Sequence, residues 1–485
     1  MDRMNLGLWL NNSSEAALGR GRFERRNPIT KDLASVGAAA NADDVSRAVE
    51  SAHQAFATWS EVGPHARRAI LNACADALEA RTEDFVEVGI AETGATKAWI
   101  ESNVMRGAIT LREAASLTTY VRGEIIPCEK PHTEAYAVRA PLGVLVGMAP
   151  WNSPVILGVR SFAMPIACGN TVVMKASEKC PGMHLLIAEA MAEGGLPPGV
   201  LNVLTHSSED GPEVVDALIA HPLTRRINFT GSTRVGRIIA QKAANVLKPC
   251  LLELGGKSPL IVLNDADIEG AVNAAAFGAF NNQGQICMST ERVIVDDKIA
   301  GPFSEAFTRK ARSLKSDAPQ TGAPLAAVID VDTVRNIRRL VDDAVAKGAE
   351  VLTGEVYEES TIMQPMIIDG VTTDMAIYHE ETFGPITTLV RARDTEHAIT
   401  IANDTEFGLT AAVHGSDRQR ALAVAKRLKT GMVHINGPTV FDEPQMPFGG
   451  TKDSGYGRFG GTAAIHEFTE LRLITVGDPQ QAYPI

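Results

Sequence analysis

At 485 residues the chain is too long for one hydrophobic core, which stops growing near ~250–300 residues, so at least two lobes are expected. Its 46 basic and 58 acidic residues give a formal charge of −12, and it has no Lys/Arg-rich run, which excludes nucleic acid and anionic membrane surfaces as partners. Six cysteines without a C-x-x-C pair fit neither a disulfide framework nor a thiolate metal site, and neither a leader pattern nor an apolar run near the ~20 residues that span a bilayer is found, so a reducing cytoplasm is expected.

In chain order, apolar residues recur at Val45, Val49, Ala52, Phe56 and Trp59, a helical stripe opened by capping Asn and Asp residues from Asn41. The stretch from Gly123 to Ala140, with Pro127, Pro131 and alternation at Tyr136 and Val138, predicts a protruding hairpin. Short β-branched runs then alternate with helical stretches: Gly143 to Met148, Thr171 to Lys175, Leu201 to Leu204, Arg226 to Thr230 and Leu260 to Leu263. That alternation predicts an α/β fold built on parallel sheet. The terminal run Phe468 to Val476 reads, like the hairpin, as an edge strand in need of a partner, which a symmetric dimer would supply.

In open α/β sheets, ligands collect beyond the carboxyl ends of the strands, where helix amino termini offer free N–H groups. Two such ends stand out. The strand from Thr171 delivers Lys175 and then Glu178 into the turn before a helix, placed to grip ribose hydroxyls. The strand from Arg226 runs into Gly231, Ser232 and Gly236, where Ser232 would cap a helix facing a pyrophosphate; each turn, taken alone, is equally a plain strand-to-helix connection. The literal G-x-G-x-x-G at Gly455 to Gly460 lacks a preceding strand and is set aside as a dinucleotide fingerprint.

A reactive centre is read from three segments. Cys287 lies in a glycine-containing loop after a helical stretch and before the strand Arg292 to Val295, an exposed setting that suits a nucleophile. Cys74, Cys168 and Cys250 read as inert core thiols. Glu253 ends an apolar strand beside Gly255 and Gly256, and Asn152 is flanked by Pro150 and Pro154, which would fix its amide where an oxyanion forms. No H-E-x-x-H or similar spacing occurs, so no metal is expected.

Together, Pro150-Trp151-Asn152, Lys175 to Glu178, Gly231 to Gly236, Glu253-Leu-Gly-Gly-Lys257, Gly284-Gln-Ile-Cys287, Glu381-Thr-Phe383-Gly384-Pro385 and the closing Pro447 to Gly455 segment resemble the aldehyde dehydrogenase superfamily along nearly the whole chain. The resemblance implies a Rossmann-type dinucleotide domain (residues 1–120 and 144–253), an α/β catalytic domain (254–466) and a β-strand oligomerisation arm (121–143 and 467–485), with a homodimer or a pair of dimers as the assembly. It implies a thiohemiacetal and then a thioester on Cys287, an oxyanion held by Asn152 and the Cys287 N–H, and Glu253 as general base for hydrolysis. Lys175 and Glu178 would hold the adenosine ribose, and Pro150, Trp151, Gly231, Ser232, Gly236 and Leu254 would surround the adenosine and pyrophosphate. Glu381 and Phe383 would meet the nicotinamide ribose. A carboxylate at Glu178 favours NAD over NADP, because it accepts from free hydroxyls and repels a 2′-phosphate.

The tract Pro154 to Asn170 is similar to the bacterial aromatic-aldehyde branch, which handles benzaldehyde, vanillin and salicylaldehyde. Trp99, Ile286, Met288 and Phe441 are then candidate walls for a flat ring, and Arg160 a partner for a phenolate oxygen. Trp99 as a plain core residue and Arg160 as a solvated helix charge are the competing readings. An aliphatic aldehyde or semialdehyde substrate, a cysteine esterase and an inactive binding relative are the alternatives carried forward.

Overall fold

In the computed structural model, which describes residues 3–355, 360–480 and 483, the strand and helix patterns resolve into two large sheets. Residues 1, 2, 356–359, 481, 482, 484 and 485, which fall within the expected domains, lie outside the described residues. The first sheet has eight strands, in the order Gly455–Tyr456, Cys250–Glu253, Thr224–Thr230, Val144–Met148, Thr171–Lys175, Leu201–Leu204, Leu8–Leu10 and Ser13–Glu15. The five from Cys250–Glu253 to Leu201–Leu204 run parallel, and Val144–Met148 and Leu201–Leu204 are buried along their whole length, as strands covered on both faces require.

The second sheet has seven strands, in the order Glu350–Thr353, Met366–Asp369, Ile386–Ala392, Thr290–Asp296, Ser258–Val262, Thr410–His414 and Met432–Ile435. Only its first pair is antiparallel. The chain passes from one sheet to the other through Leu254 to Lys257, so Glu253, at the end of its strand, stands where the two sheets are joined.

The helix expected from Asn41 is Ala42–Trp59, with Asn41 accepting from Asp43 and Asp44 N–H in a capping box, and Val45, Val49, Ala52 and Trp59 buried. The hairpin is Glu124–Ile126 with Glu134–Pro141. One expectation is corrected here. The hairpin and the terminal strand do not each await an outside partner, because Thr469–Val476 pairs antiparallel with Glu134–Pro141 over eight residues within the chain. This sheet has two edges, the terminal strand, where Leu471 and Leu473 are exposed, and Glu124–Ile126, where Ile125 is exposed.

Candidate active site

The loop that carries Cys287 is strained. After the helix Ile268–Phe280, Asn282 (φ 48°), Gln283 (φ 56°) and Gly284 (φ 67°) all adopt left-handed backbone, a costly run in L residues that only a determined surrounding sustains. Gly284 has no room for a side chain, since a Cβ there would stand 2.0 Å from the Gly384 carbonyl oxygen. The loop delivers Cys287 half-buried, immediately before the strand Thr290–Asp296.

Glu253 ends its strand wholly buried, and neither carboxylate oxygen has a hydrogen-bond partner of good geometry among the described residues. The Cys287 thiol faces it. Burial pushes the Glu253 carboxyl up and the thiol contact only partly offsets this, leaving it at about 7. Burial, and then the Glu253 charge, push the thiol well above its usual range. The resting pair is therefore a neutral thiol beside a buried carboxyl, and the exposed setting expected for Cys287 is only partly what surrounds it. The strand end is held by the closing segment of the chain, where Glu253 pairs with Gly455, and Ser454 donates its hydroxyl to the Gly255 carbonyl at 2.6 Å. The rejected glycine motif at Gly455 is thus a prop for Glu253.

Asn152 is buried at the end of Val144–Met148, and its amide donates to the Gln285 carbonyl at 2.9 Å. Its main-chain carbonyl accepts from the Trp99 indole at 3.1 Å and from the Asn282 side-chain amide at 3.0 Å. Cys287 and Asn152 are tied together by this exchange between their loops.

Three cavities converge here. A cleft of about 450 Å³ is lined by Pro150, Trp151, Lys175, Glu178, His206, Gly231 and Val235, among others. Through Pro150, Trp151, Thr230 and Gly231 it shares its walls with a cavity of about 280 Å³ that also includes Asn152, Ser232, Glu253, Cys287, Glu381 and Phe383. From the other side a third cavity, of about 370 Å³, reaches Cys287 and Asn152 past Trp99, Arg160, Ile286, Met288 and Phe441. Cys287 is reached from both directions. Of the expected residues, Gly236 and Leu254 do not line these walls. They pack against each other beneath them, where a Cβ on Gly236 would meet Leu254 Cδ2 at 2.4 Å.

Ser232 caps the helix Thr233–Ala244, accepting from Val235 N–H, so that helix opens toward the cleft. Lys175 gives hydrogen bonds to the Ala176 carbonyl (3.1 Å) and to His206 Nε2 (2.6 Å). Burial lowers the Lys175 ammonium, and although burial alone would raise the Glu178 carboxyl, Lys175 and its neighbours hold it below the usual range. At the other end, Trp151 and Phe383 meet edge to face at 5.7 Å. Phe383 sits at φ 50°, a strained backbone held by buried Glu291, which accepts from Thr382 N–H (2.9 Å) and Phe383 N–H (3.1 Å) while ion-paired to buried Lys257 (2.5 Å). Glu381 accepts from Gly256 N–H at 2.9 Å, and burial with the nearby Glu291 charge raises its carboxyl to about 8.

The sequence reading missed His206, Glu291, Lys257 in this supporting role, and Asp442. Asp442 alters the expected role of Arg160, which is no solvated charge: Arg160 Nη2 donates to Asp442 Oδ2 at 2.5 Å, and its guanidinium lies 4.2 Å from the Phe448 ring centroid. Trp99 is half-buried with its indole bonded to Asn152, so it belongs to the cavity wall and not to the core. Cys74, Cys168 and Cys250 are buried, their thiols pushed up to about 12, 12 and 11 by burial.

The model of the aldehyde dehydrogenase family matches residues 15–474. A vanillin dehydrogenase of Pseudomonas fluorescens is 51% identical over 464 residues, 96% of each chain, and a salicylaldehyde dehydrogenase of Pseudomonas sp. (strain C18) is 48% identical over 483 residues, 99% of this chain and 100% of that one. The crystal structure of a salicylaldehyde dehydrogenase from Pseudomonas putida G7, complexed with salicylaldehyde, superposes with a TM-score of 0.98 at 47% identity, covering 99% of this chain and 100% of that one. The chain belongs to the aldehyde dehydrogenase family, with its mixed α/β fold and its oxidoreductase chemistry on aldehydes.

Proposed function

We propose that this chain oxidises aromatic aldehydes to carboxylic acids with NAD as the hydride acceptor, through a thioester on Cys287. The observation that carries the reading is the position of Cys287 at the meeting of two approaches: a cleft that carries Lys175, Glu178 and Ser232 on one side and a cavity walled by Trp99, Ile286, Met288 and Phe441 on the other. The relatives named for vanillin and salicylaldehyde support a flat ring in that second cavity. With Arg160 Nη2 given to Asp442, its remaining N–H groups serve a ring hydroxyl.

The cleft residues fit a dinucleotide. Lys175 and Glu178 at one strand end suit ribose hydroxyls, the helix capped by Ser232 suits a pyrophosphate, and Glu381 with Phe383 suits the second ribose. The carboxylate of Glu178 accepts from free hydroxyls and repels a 2′-phosphate, which supports NAD over NADP. Cys287 Sγ attacks the carbonyl carbon as Glu253 takes the thiol proton, and the amide of Asn152 with the Cys287 N–H holds the resulting oxyanion. When bound, the dinucleotide accepts the hydride that leaves as the thiohemiacetal becomes a thioester. Glu253, its proton passed to solvent, then removes a proton from the water that attacks the thioester, and the acid leaves with Cys287 restored as a thiol.

We infer further that residues 1–120 with 144–253 bind the dinucleotide, that 254–466 carry the nucleophile, and that 121–143 with 467–485 form an arm joining two chains into a homodimer, alone or in pairs. The exposed edge at Leu471 and Leu473 supports the arm. No helix among the described residues is long and apolar enough to cross a membrane. The test is NADH formation from salicylaldehyde and from an aliphatic aldehyde of similar size, with Cys287→Ala as control. Turnover favouring the ring and absent in the variant is expected. A preference for the aliphatic substrate would remove the aromatic reading, and equal rates with and without Cys287 would remove the mechanism.

A further inference from the structure

The aldehyde cavity contains an arginine, yet that charge is already matched. Arg160 and Asp442 form an ion pair at 2.5 Å with side chains only 12% and 17% exposed, and the guanidinium is clamped against Phe448. The other charged residue on the cavity wall, Arg106, is exposed and donates to the Asp442 main-chain carbonyl at 3.3 Å, so it stands at the mouth with its charge open to solvent. Most of the remaining wall is apolar, including Trp99, Ile156, Leu157, Phe277 and Met288. At the inner end, next to Cys287, lies the Glu253 carboxylate.

We propose that Asp442 is a specificity-determining residue: by holding Arg160 in an ion pair inside the aldehyde cavity, it neutralises the buried guanidinium there and selects uncharged aromatic aldehydes against those bearing a carboxylate. The inference rests on the aromatic reading above and names the charge class of its substrate. A carboxylate carried into an apolar cavity loses its hydration and needs a counter-charge to replace it. Arg160 has N–H groups beyond the one given to Asp442, but its charge is already balanced by that partner, so a carboxylate beside it meets a pair of no net charge. A neutral ring meets no such penalty. Replacing Asp442 by asparagine keeps the shape and an acceptor oxygen but removes the charge, leaving a buried, unmatched guanidinium with the planar fork that suits a carboxylate.

The experiment compares kcat/KM for 3- and 4-formylbenzoate with that for 3- and 4-formylbenzamide, pairs of equal size that differ in charge. In the unaltered protein the amides are expected to be preferred by about tenfold or more; equal values would overturn the proposal without any variant. In Asp442→Asn the benzoate-to-benzamide ratio should rise by about tenfold or more, as a charge-assisted hydrogen bond is gained, and in Asp442→Asn with Arg160→Gln the rise should vanish. Because a ratio is read, a general loss of activity does not imitate the effect, and quenching of tryptophan fluorescence by the dinucleotide reports that the variants are folded. A folded Asp442→Asn with an unchanged ratio overturns the proposal while leaving the aromatic reading standing. Failure of the unaltered protein to oxidise any benzaldehyde, while it oxidises hexanal, overturns the aromatic reading and this proposal with it.

Discussion

The two approaches to Cys287 are walled in different ways. On the cleft side the polar groups come from ends of regular structure: Lys175 closes a strand, Gly231 and Ser232 follow another and open a helix, and Glu253 closes a third. On the side proposed for the aldehyde the wall is assembled from segments far apart in the chain, with Trp99 and Arg106 from the helix Lys97–Leu117, Arg160 from Pro154–Ala167, Phe277 from Ile268–Phe280, and Phe441 with Asp442 from a loop. A site made from strand and helix ends places backbone N–H groups and fixed side chains around a ligand whose phosphates and riboses do not vary. A site made from side chains meeting across the fold can change one residue at a time, and so suits a part of the enzyme that sets which aldehyde enters.

The sharpest way to break this comparison is at the residues both sides share. Replacing Glu253 by glutamine should lower steady-state turnover by roughly 10²–10⁴-fold, the range for loss of a positioned base. With the carboxyl at about 7, the working, deprotonated form falls tenfold per pH unit below that value and saturates above it. Turnover should therefore drop on the acid side of about pH 7, and that limb should be missing in Glu253→Gln. A pre-steady-state assay separates the two uses of this carboxylate. A stoichiometric burst of NADH followed by slow turnover would show it needed only for hydrolysis, whereas loss of the burst would show that it also takes the thiol proton. Asn152→Ala comes next, with an expected loss of about 10²–10³-fold in kcat and little change in dinucleotide affinity. An equal loss of dinucleotide affinity would mean that the amide organises the cleft and not the oxyanion.

The same contrast explains what was legible from sequence. Strand ends announce themselves through periodicity and the glycines or prolines around them, which is why Lys175, Glu178, Ser232, Glu253 and Asn152 stand out in the sequence. His206 was missed although the same rule reaches it. It lies two residues beyond Leu201–Leu204, whose Leu204 is in register with Lys175, so the two strand ends deliver their side chains to one place. Lys257 and Glu291 carried a fainter signal, opposite charges at the start of two apolar strands that turn out to be neighbours. Asp442 carried none. Its partner Arg160 is 282 residues away, and no local spacing relates them. The pairing of the terminal strand with Glu134–Pro141 is not legible from alternation, which identifies an edge strand but not the strand that covers it; only the family resemblance groups the two segments in one arm.

The smallest expected effect probes whether the cleft is as fixed as its strand ends suggest. His206 is buried, with Nδ1 2.7 Å from the Ser207 carbonyl, an oxygen that can only accept, so Nδ1 carries the proton and Nε2 offers its lone pair to Lys175 at 2.6 Å. An ammonium has three N–H donors, and two of those on Lys175 are spent on the Ala176 carbonyl and His206. The third is thereby aimed, in the proposed reading at the adenosine ribose. Burial and the adjacent Lys175 charge hold the imidazole down at about 4, so it remains a neutral acceptor throughout the range in which an ordinary histidine would become charged and repel Lys175. Dinucleotide affinity should therefore stay flat from pH 8 to pH 6 as far as this pair is concerned. His206→Ala should weaken NAD binding by about five- to tenfold, the worth of one charge-assisted hydrogen bond that orients a group and does not hold the ligand itself. His206→Gln, whose side-chain oxygen can accept in place of Nε2, should recover most of that loss, with the KM for aldehyde unchanged in both. Recovery by glutamine is the informative arm, because a histidine that merely filled space would not be replaced by an acceptor of different shape. If alanine and glutamine weaken binding alike, Lys175 is aimed by its backbone alone, and the cleft owes even more of its order to the ends of strands.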